Sequence, residues 1–177
     1  ALPLEGPIVV DGRLDEAAWQ SAQPASGFTQ QEPFEGEPAQ EDTEVRILFD
    51  SETIYVGARM FDGLSGTIAR PLTRRDDEER AYDYFQVSLD TNNDRRTAYS
   101  FRVTAAGVQV DRYEFDDVLA DGLWNAVWES AVHLDEHGWT AELRIPLSQI
   151  RYEPTTLPQA CRVQFRRRRV VSNEHTV

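Results

Sequence analysis

Short runs in which hydrophobic and polar residues alternate, separated by turn sequences, occupy most of this chain. A period of two residues places alternate side chains on one face of a strand, which predicts β-strands with one apolar face each. The clearest pair is joined by an Asp-Ser-Glu turn and carries Val45, Ile47 and Phe49 on one strand and Ile54, Val56, Ala58 and Met60 on the next. Further strands are predicted at 84–89, 98–104, 108–113, 127–134, 139–145 and 162–171.

Helical periodicity is confined to three short segments, 14–21, 65–72 and 148–150. Regular short strands without long helices are typical of two packed sheets. The predicted fold class is therefore all-β, a two-sheet antiparallel β-sandwich with a few short helices. The 177 residues, of which 40% are hydrophobic, predict a single domain over 1–177. A chain that starts at Ala1 without Met is expected to be a mature form or a fragment of a longer protein, and the polar stretch 30–41 is expected to be a surface loop.

The charge of the chain excludes several classes of partner. With 18 basic and 31 acidic residues the net charge is −13, which repels nucleic acid and anionic membranes over most of the surface. No apolar run is long enough for a membrane helix, so direct membrane insertion is not expected. All basic residues are arginine, which removes lysine chemistry. In the run 166–169, the arginines are predicted to alternate between the two faces of a strand, with the inward ones binding carboxylates or ligand.

Three of the four tryptophans lie between residues 124 and 146. Trp128 and Trp139 have the parity of an inner strand face, and Trp19 closes a short amphipathic segment, so all three are predicted to be core residues. Trp124 follows Asp121-Gly122, where a loop is expected. A tryptophan in a loop can stack on the flat apolar face of a ligand.

Five blocks of this sequence together resemble one known family. They are V-D-G-R-L-D-E-A-A-W (10–19), E-D-T-E-V-R-I-L-F-D (41–50), I-Y-V-G (54–57), D-T-N-N-D-R-R-T-A-Y-S-F-R-V (90–103) and W-N-A-V-W…R-I-P (124–146). In this order they resemble the family 9 carbohydrate-binding modules, and more closely a subfamily at the N-terminus of long bacterial proteins that end in a predicted outer-membrane barrel. The segment around 165–169 is similar to a further family block, although Cys161 stands where the subfamily commonly has tryptophan.

The resemblance implies a non-catalytic β-sandwich that binds a neutral saccharide. In the family, two aromatic side chains clamp a terminal sugar, and the candidates here are Trp124, Tyr113, Phe115, Tyr82 and Tyr84. Planar polar side chains that can bond adjacent hydroxyls complete the predicted site, namely Asn125, Arg74, Arg75, Asp76, Arg96 and Arg102. An alternative interpretation is that Arg96 and Arg102 pair with neighbouring carboxylates such as Asp83 or Asp111.

One loop could hold a metal ion. Asp90, Asn92 and Asp94 present oxygen atoms at alternating positions, and family 9 modules are known to hold structural calcium. The loop lacks the glycine and the final acidic residue of an EF-hand, so a turn with a structural role is the other interpretation. Calcium is the one cofactor that the sequence brings into question, because the three histidines and Cys161 show no zinc spacing. Cys161 itself is predicted to be buried and inert.

Three functions remain open on the sequence alone. The first is saccharide binding, in the periplasm or outside the cell, in the bacterial cell envelope. The second is an interaction or gating domain for a downstream barrel domain of the same polypeptide. The third is a haem-binding or catalytic sandwich. Haem binding is disfavoured because Met60 has the parity of an inner strand face and no histidine pairs with it in sequence.

Overall fold

The computed structural model describes residues 1–116, 119–152 and 160–177. Twelve strands dominate these residues. In chain order they are β1 (Leu2–Pro3), β2 (Gln30–Glu32), β3 (Thr43–Phe49), β4 (Thr53–Phe61), β5 (Tyr84–Asp90), β6 (Thr97–Thr104), β7 (Gln109–Phe115), β8 (Leu119–Asp121), β9 (Glu129–Asp135), β10 (Gly138–Pro146), β11 (Arg162–Arg169) and β12 (Glu174–Thr176).

The strands form two sheets. One sheet has five strands in the order β1-β3-β4-β10-β9, and the other has seven in the order β2-β12-β11-β5-β6-β7-β8. All neighbours run antiparallel except β1 and β3, which run parallel. The predicted two-sheet antiparallel sandwich is confirmed, and every strand predicted from alternation lies where it was expected within a few residues.

The main hydrophobic core lies between the two sheets, and both supply side chains of alternating parity. Val56, Ala58 and Met60 of β4 are fully buried and face Phe85 and Val87 of β5. Trp128 and Trp139 belong to the same cluster, as the sequence predicted. Because odd-numbered residues of β5, β6 and β11 point into this core, the even-numbered ones lie on the outer face of the seven-stranded sheet.

Two of the arginines of β11 cross from one sheet to the other. Arg167 donates hydrogen bonds to the carbonyl oxygens of Asp42 (3.0 Å) and Phe61 (2.7 Å). Arg169 donates two hydrogen bonds, at 2.9 and 3.0 Å, to the two carboxylate oxygens of Asp62. The predicted alternation is therefore confirmed, because these two side chains are buried and those of Arg166 and Arg168 lie on the opposite face.

The helices are shorter than the sequence predicted. Among the residues that the structure describes, only α1 (Ala17–Ser21) is α-helical, and the other two predicted segments are single 3-10 turns at Ser65–Thr67 and Leu147–Gln149. The start of α1 is delayed because Glu16 takes an extended conformation and its carboxylate accepts a hydrogen bond from the amide of Val9. Trp19 nevertheless lies in a second, smaller core, which also contains Leu48 and Tyr55.

Four short strands were not predicted, namely β1, β2, β8 and β12. Each has two or three residues, too few for alternation to be recognised. One of them, β2, opens the segment 30–41, which the sequence assigned to a surface loop, and pairs with β12.

Candidate functional site

Three of the five candidate aromatic residues, Trp124, Tyr113 and Phe115, form a chain of ring contacts with Tyr99 and Phe101. Trp124 lies in a loop, as predicted, and its ring centroid is 5.0 Å from that of Tyr99 and 5.8 Å from that of Phe101. Tyr99 contacts Tyr113 at 5.1 Å, and Tyr113 stacks on Phe115 at 5.9 Å. Trp124 is partly buried against the main core, so only part of its ring is open to a ligand.

Two of the candidate aromatic residues are too deeply buried to contact a sugar. Tyr82 and Tyr84 are only 1% and 3% exposed. The hydroxyl of Tyr82 donates a hydrogen bond to the carbonyl oxygen of Asp77 (2.6 Å), and the guanidinium of Arg102 lies 4.1 Å from the centroid of the Tyr84 ring. The prediction that either tyrosine stacks on a saccharide is therefore wrong, because the segment 74–82 and Arg102 cover this part of the outer face.

Arg102 is occupied by protein partners. It donates two hydrogen bonds to Oε1 of Gln86, at 2.9 and 2.8 Å, and lies 3.6 Å from a carboxylate oxygen of Glu78. Arg96 pairs at 3.1 Å with Asp116, and both side chains are largely exposed. The alternative interpretation of ion pairing thus describes both arginines, although their carboxylate partners are not the predicted Asp83 and Asp111.

Arg75 and Asp76 help to fix the loop that carries Trp124. Arg75 contacts Asp111, whose buried carboxylate also accepts hydrogen bonds from the amide of Ala126 (2.6 Å) and from Nε1 of Trp128 (3.2 Å). Asp76 accepts a hydrogen bond from the amide of Asp111. These residues therefore support the segment 124–128 from behind. In the same segment, Asn125 is exposed and donates to the carbonyl oxygen of Leu123 (3.1 Å).

The candidate calcium loop is a tight turn closed by its own hydrogen bonds. The carboxylate of Asp90 accepts from the amides of Asp94 (3.2 Å) and Arg95 (2.9 Å). That of Asp94 accepts from the amides of Arg96 and Thr97 and from the Thr97 hydroxyl, and the bond from the Arg96 amide is the main reason that the pKa of Asp94 lies below its ordinary value.

These donors use the oxygen atoms that a metal ion would need, and Asn92 is exposed on the turn. The described residues contain no group of three or more His, Cys, Asp or Glu side chains that could hold a metal ion. These hydrogen bonds favour the structural turn over a calcium site.

A cleft of about 720 Å³ lies beside this turn, on the outer face of the seven-stranded sheet. Its floor consists of outward-facing residues of β5, β6, β7 and β11, and its rim includes the turn before β6 and the start of β8. Of the predicted site residues, Asp90, Arg96 and Phe115 line it. Sequence reasoning missed the other charged lining residues, namely Arg95, Arg112, Glu114, Arg162 and Arg166. We call this feature the arginine cleft.

Strand register brings the floor of the arginine cleft together. Gln164 lies opposite Ser88, Ser88 opposite Ser100, and Ser100 opposite Arg112, so one row of outward side chains crosses four strands. The only sequence signal for it was the outward parity of alternate arginines in the run 162–169. That signal gave the face of β11 but could not give the strands beside it.

The two sulfur-containing residues, Cys161 and Met60, were also subjects of sequence predictions. Cys161 is exposed, so the prediction of burial is wrong. Limited hydration of the sulfur and the charge of Asp90 nevertheless raise the pKa of its thiol to about 11, which keeps it protonated at neutral pH. Met60 is fully buried in the main core, where it packs among hydrophobic side chains. No described helix has the length and apolarity needed to cross a membrane.

Comparisons with known proteins are consistent with the fold. The model of the carbohydrate family 9 binding domain-like family matches residues 10–166. A family 9 carbohydrate-binding module from Caldicellulosiruptor kristjanssonii in complex with cellotriose is similar over 99% of this chain and 80% of its own, at 16% identity and a TM-score of 0.67. A family 9 module of that organism in complex with glucose is similar over 99% of this chain and 83% of the module's own length, at 17% identity and a TM-score of 0.68. No curated protein matches the sequence.

Proposed function

Because the chain belongs to the carbohydrate family 9 binding domain-like family, we propose that it is a non-catalytic module that binds a saccharide in the arginine cleft. The observation that carries this proposal is the composition of the cleft. Its volume lies within the range of ligand pockets, about 300–1,000 Å³. Guanidinium, amide and carboxylate groups line its floor, and these are the groups that can each bond two adjacent sugar hydroxyls.

Phe115 is the aromatic residue at the edge of the proposed site. It lies at the rim of the arginine cleft and is partly exposed, whereas Tyr113 and Trp124 continue the same chain of ring contacts toward the core. Phe115 has the inward parity of Tyr113, opposite to that of the floor residues Arg112 and Glu114, so we assign it a contact with the sugar only where the cleft reaches the end of β7. This arrangement departs from the sequence prediction, which gave the stacking role to Trp124.

The experiment is a calorimetric titration of the protein with oligosaccharides found on a glycan array. We expect binding in the micromolar to millimolar range, which corresponds to about −4 to −8 kcal/mol. Phe115→Ala should weaken binding by roughly three- to tenfold, since an aromatic contact is worth about 0.5–1.5 kcal/mol beyond its buried area. The matched control is Phe34→Ala, which removes an exposed phenylalanine from a loop outside the cleft and should leave affinity unchanged. Equal affinities for wild type and Phe115→Ala would place the site elsewhere.

Modules of this family are typically extracellular or associated with the cell envelope, and we infer that this chain works in the periplasm or outside the cell.

A second candidate function, docking to a downstream domain of the same polypeptide, has one specific observation in its favour. Leu119, Leu123 and Val127 are exposed by 51%, 90% and 77% on one stretch that includes the Trp124 loop. If this stretch is a docking surface, Leu123→Ser should reduce association of the full-length protein's separated domains and leave saccharide binding unchanged. Co-sedimentation of the two domains measures that association.

A further inference from the structure

The arginine cleft has the opposite charge to the molecule as a whole. The chain carries 18 basic and 31 acidic residues, for a net charge of −13. Two carboxylates, Asp90 and Glu114, line the cleft together with five arginines, namely Arg95, Arg96, Arg112, Arg162 and Arg166. An acidic protein therefore concentrates positive charge on one part of its surface.

Both carboxylates of the cleft already have hydrogen-bond donors from the protein. Asp90 accepts from the backbone amides of Asp94 and Arg95, and Glu114 accepts from Nε2 of Gln86 at 3.4 Å. Two of the five arginines are also paired, because Arg96 bonds Asp116 and Arg112 contacts Glu78.

The other three arginines lack a carboxylate partner within residues 1–116, 119–152 and 160–177. Arg95 is exposed at the rim, and Arg162 donates only to the neutral amide oxygen of Asn93. Arg166 is half-buried, and its Nε–H group is shielded from solvent with no hydrogen-bond partner among the described residues. The Nε–H group of Arg112 is in the same condition. A shielded N–H group without an acceptor is unfavourable, and a bound acceptor would remove that cost.

We propose that the saccharide of the arginine cleft is acidic, a chain of sugars that carry carboxylates, as uronic acids do. This proposal rests on the proposed function, since it specifies the ligand of the same site. Guanidinium groups bind carboxylates through paired, charge-assisted hydrogen bonds, which neutral hydroxyls cannot match. The negative charge of the rest of the surface opposes this little, because physiological salt screens charges beyond about 8 Å.

The positions of the arginines favour an oligomer over a single sugar. Arg162 and Arg166 lie on the same face of β11, four residues apart, with Gln164 between them. At about 3.3 Å per residue, their backbone positions are about 13 Å apart. A linear acidic saccharide along β11 can therefore place one carboxylate at each arginine and a hydroxyl at Gln164.

The test uses matched pairs of oligosaccharides that differ only at C6, which carries a carboxylate in one member and a hydroxymethyl group in the other. Three pairs suffice, built on galactose, glucose and mannose. Calorimetric titration in 0.15 M NaCl should show the acidic member of at least one pair binding roughly tenfold or more tightly than its neutral partner, since one charge-assisted pair is worth about a factor of ten. This preference should diminish in 0.5 M NaCl.

A variant pair connects the preference to the cleft. Arg166→Gln removes one unpaired charge from the floor and should abolish most of the acidic preference. Arg144→Gln makes the same change in the five-stranded sheet, where Arg144 pairs with Glu129, and should leave the preference intact. Melting curves of both variants establish that they are folded.

The outcomes separate this inference from the proposed function. Tighter binding of an acidic member that is lost in Arg166→Gln and kept in Arg144→Gln supports both. If the neutral members bind as tightly as the acidic ones, saccharide binding stands and the acidic specificity is overturned. An acidic preference that survives in Arg166→Gln overturns the assignment to these arginines. Absence of binding by all six oligosaccharides and by the glycan array overturns the proposed function and this inference with it.

Discussion

Replacing Glu142 should destabilise the whole domain, although this residue lies far from the arginine cleft. Glu142 is on the outer face of β10 and only 1% exposed. One of its carboxylate oxygens accepts hydrogen bonds from the amides of Gly12 (2.7 Å) and Asp11 (2.9 Å), and the other accepts from Nε1 of Trp19 (2.9 Å). Together with the Thr140 hydroxyl, which donates a hydrogen bond to the carbonyl oxygen of Gly12 (2.5 Å), this side chain holds the N-terminal segment 10–19 against the five-stranded sheet.

The magnitude follows from the donors that the substitution leaves behind. Glu142→Ala deprives three N–H groups of their acceptor, and each buried, unsatisfied donor costs about 1–3 kcal/mol. Water can reach Asp11, which is exposed, and removal of the carboxylate also relieves its own desolvation. We therefore expect a net loss of about 2–4 kcal/mol in the free energy of unfolding.

Urea denaturation monitored by tryptophan fluorescence measures the effect, since Trp19 is one of the groups released. The matched control is Glu129→Ala on the neighbouring strand β9, whose carboxylate is exposed and pairs with Arg144. Exposed ion pairs contribute about 0–1 kcal/mol, so this variant should stay close to wild type. If Glu142→Ala loses less than about 1 kcal/mol, the carboxylate does not hold the N-terminal segment and the reasoning is refuted.

The same residue gives stability a pH dependence. Burial raises the pKa of Glu142 from 4.5 to about 7, against the opposing effect of its N–H donors. Because the pKa is higher in the folded state, the folded protein holds the proton more tightly, and this contribution is complete below pH 4.5. As the pH rises from 4.5 to about 7 it is lost, which amounts to about 3 kcal/mol. Glu142→Gln does not titrate, so the stability of wild type relative to this variant should fall over that window. A constant difference would show that the pKa of Glu142 is not raised.

Three further predictions concern the core, the turn and the link between the sheets. Trp139→Ala should lose about 3–5 kcal/mol in urea denaturation, and Trp124→Ala, which is only partly buried, clearly less; equal losses would contradict the burial pattern. Excess chelator should leave the melting temperature unchanged, because the carboxylates of Asp90 and Asp94 already accept hydrogen bonds, and a fall on chelation would revive the calcium hypothesis. Asp62→Asn should cost about 1–3 kcal/mol, because buried Arg169 loses one of its two hydrogen bonds to this side chain and keeps only the carboxylate of Glu41, at 3.8 Å, and a neutral result in the same assay would contradict it.

The sequence predicted those parts of the fold that depend on neighbours along the chain. The hairpin of β3 and β4 and the hairpin of β9 and β10 each have a short turn and a clear period of two, so strand parity identified their core residues. Trp19, Trp128 and Trp139 are buried as expected. The short strands β1 and β12 could not be found in this way, since their pairing with β3 and β11 is what makes them strands.

The predicted site was less accurate because binding surfaces depend on residues that are distant in sequence. Tyr84 has the outward parity that a ligand-binding residue needs, but Arg102 and the segment 74–82 cover it. The sequence around Arg166 did not predict a pocket. Arg112 lines the same pocket but lies on β7, which is separated from β11 by two strands of the sheet. Periodicity indicates which way a side chain points, whereas strand order determines what it meets there.

Strand β11 shows how one sequence pattern serves two roles. Inward-facing Arg167 and Arg169 join the sheets through carbonyl oxygens and Asp62, and outward-facing Arg166 lines the arginine cleft. Arginine suits both places, because its planar group makes several hydrogen bonds at once and stays charged when buried. A shift of one residue in register would exchange the two faces, turning Phe165 away from the core and placing Gln164 in it. Substitutions at inward positions of β11 should therefore change the free energy of unfolding, and substitutions at outward positions should change the affinity for ligand.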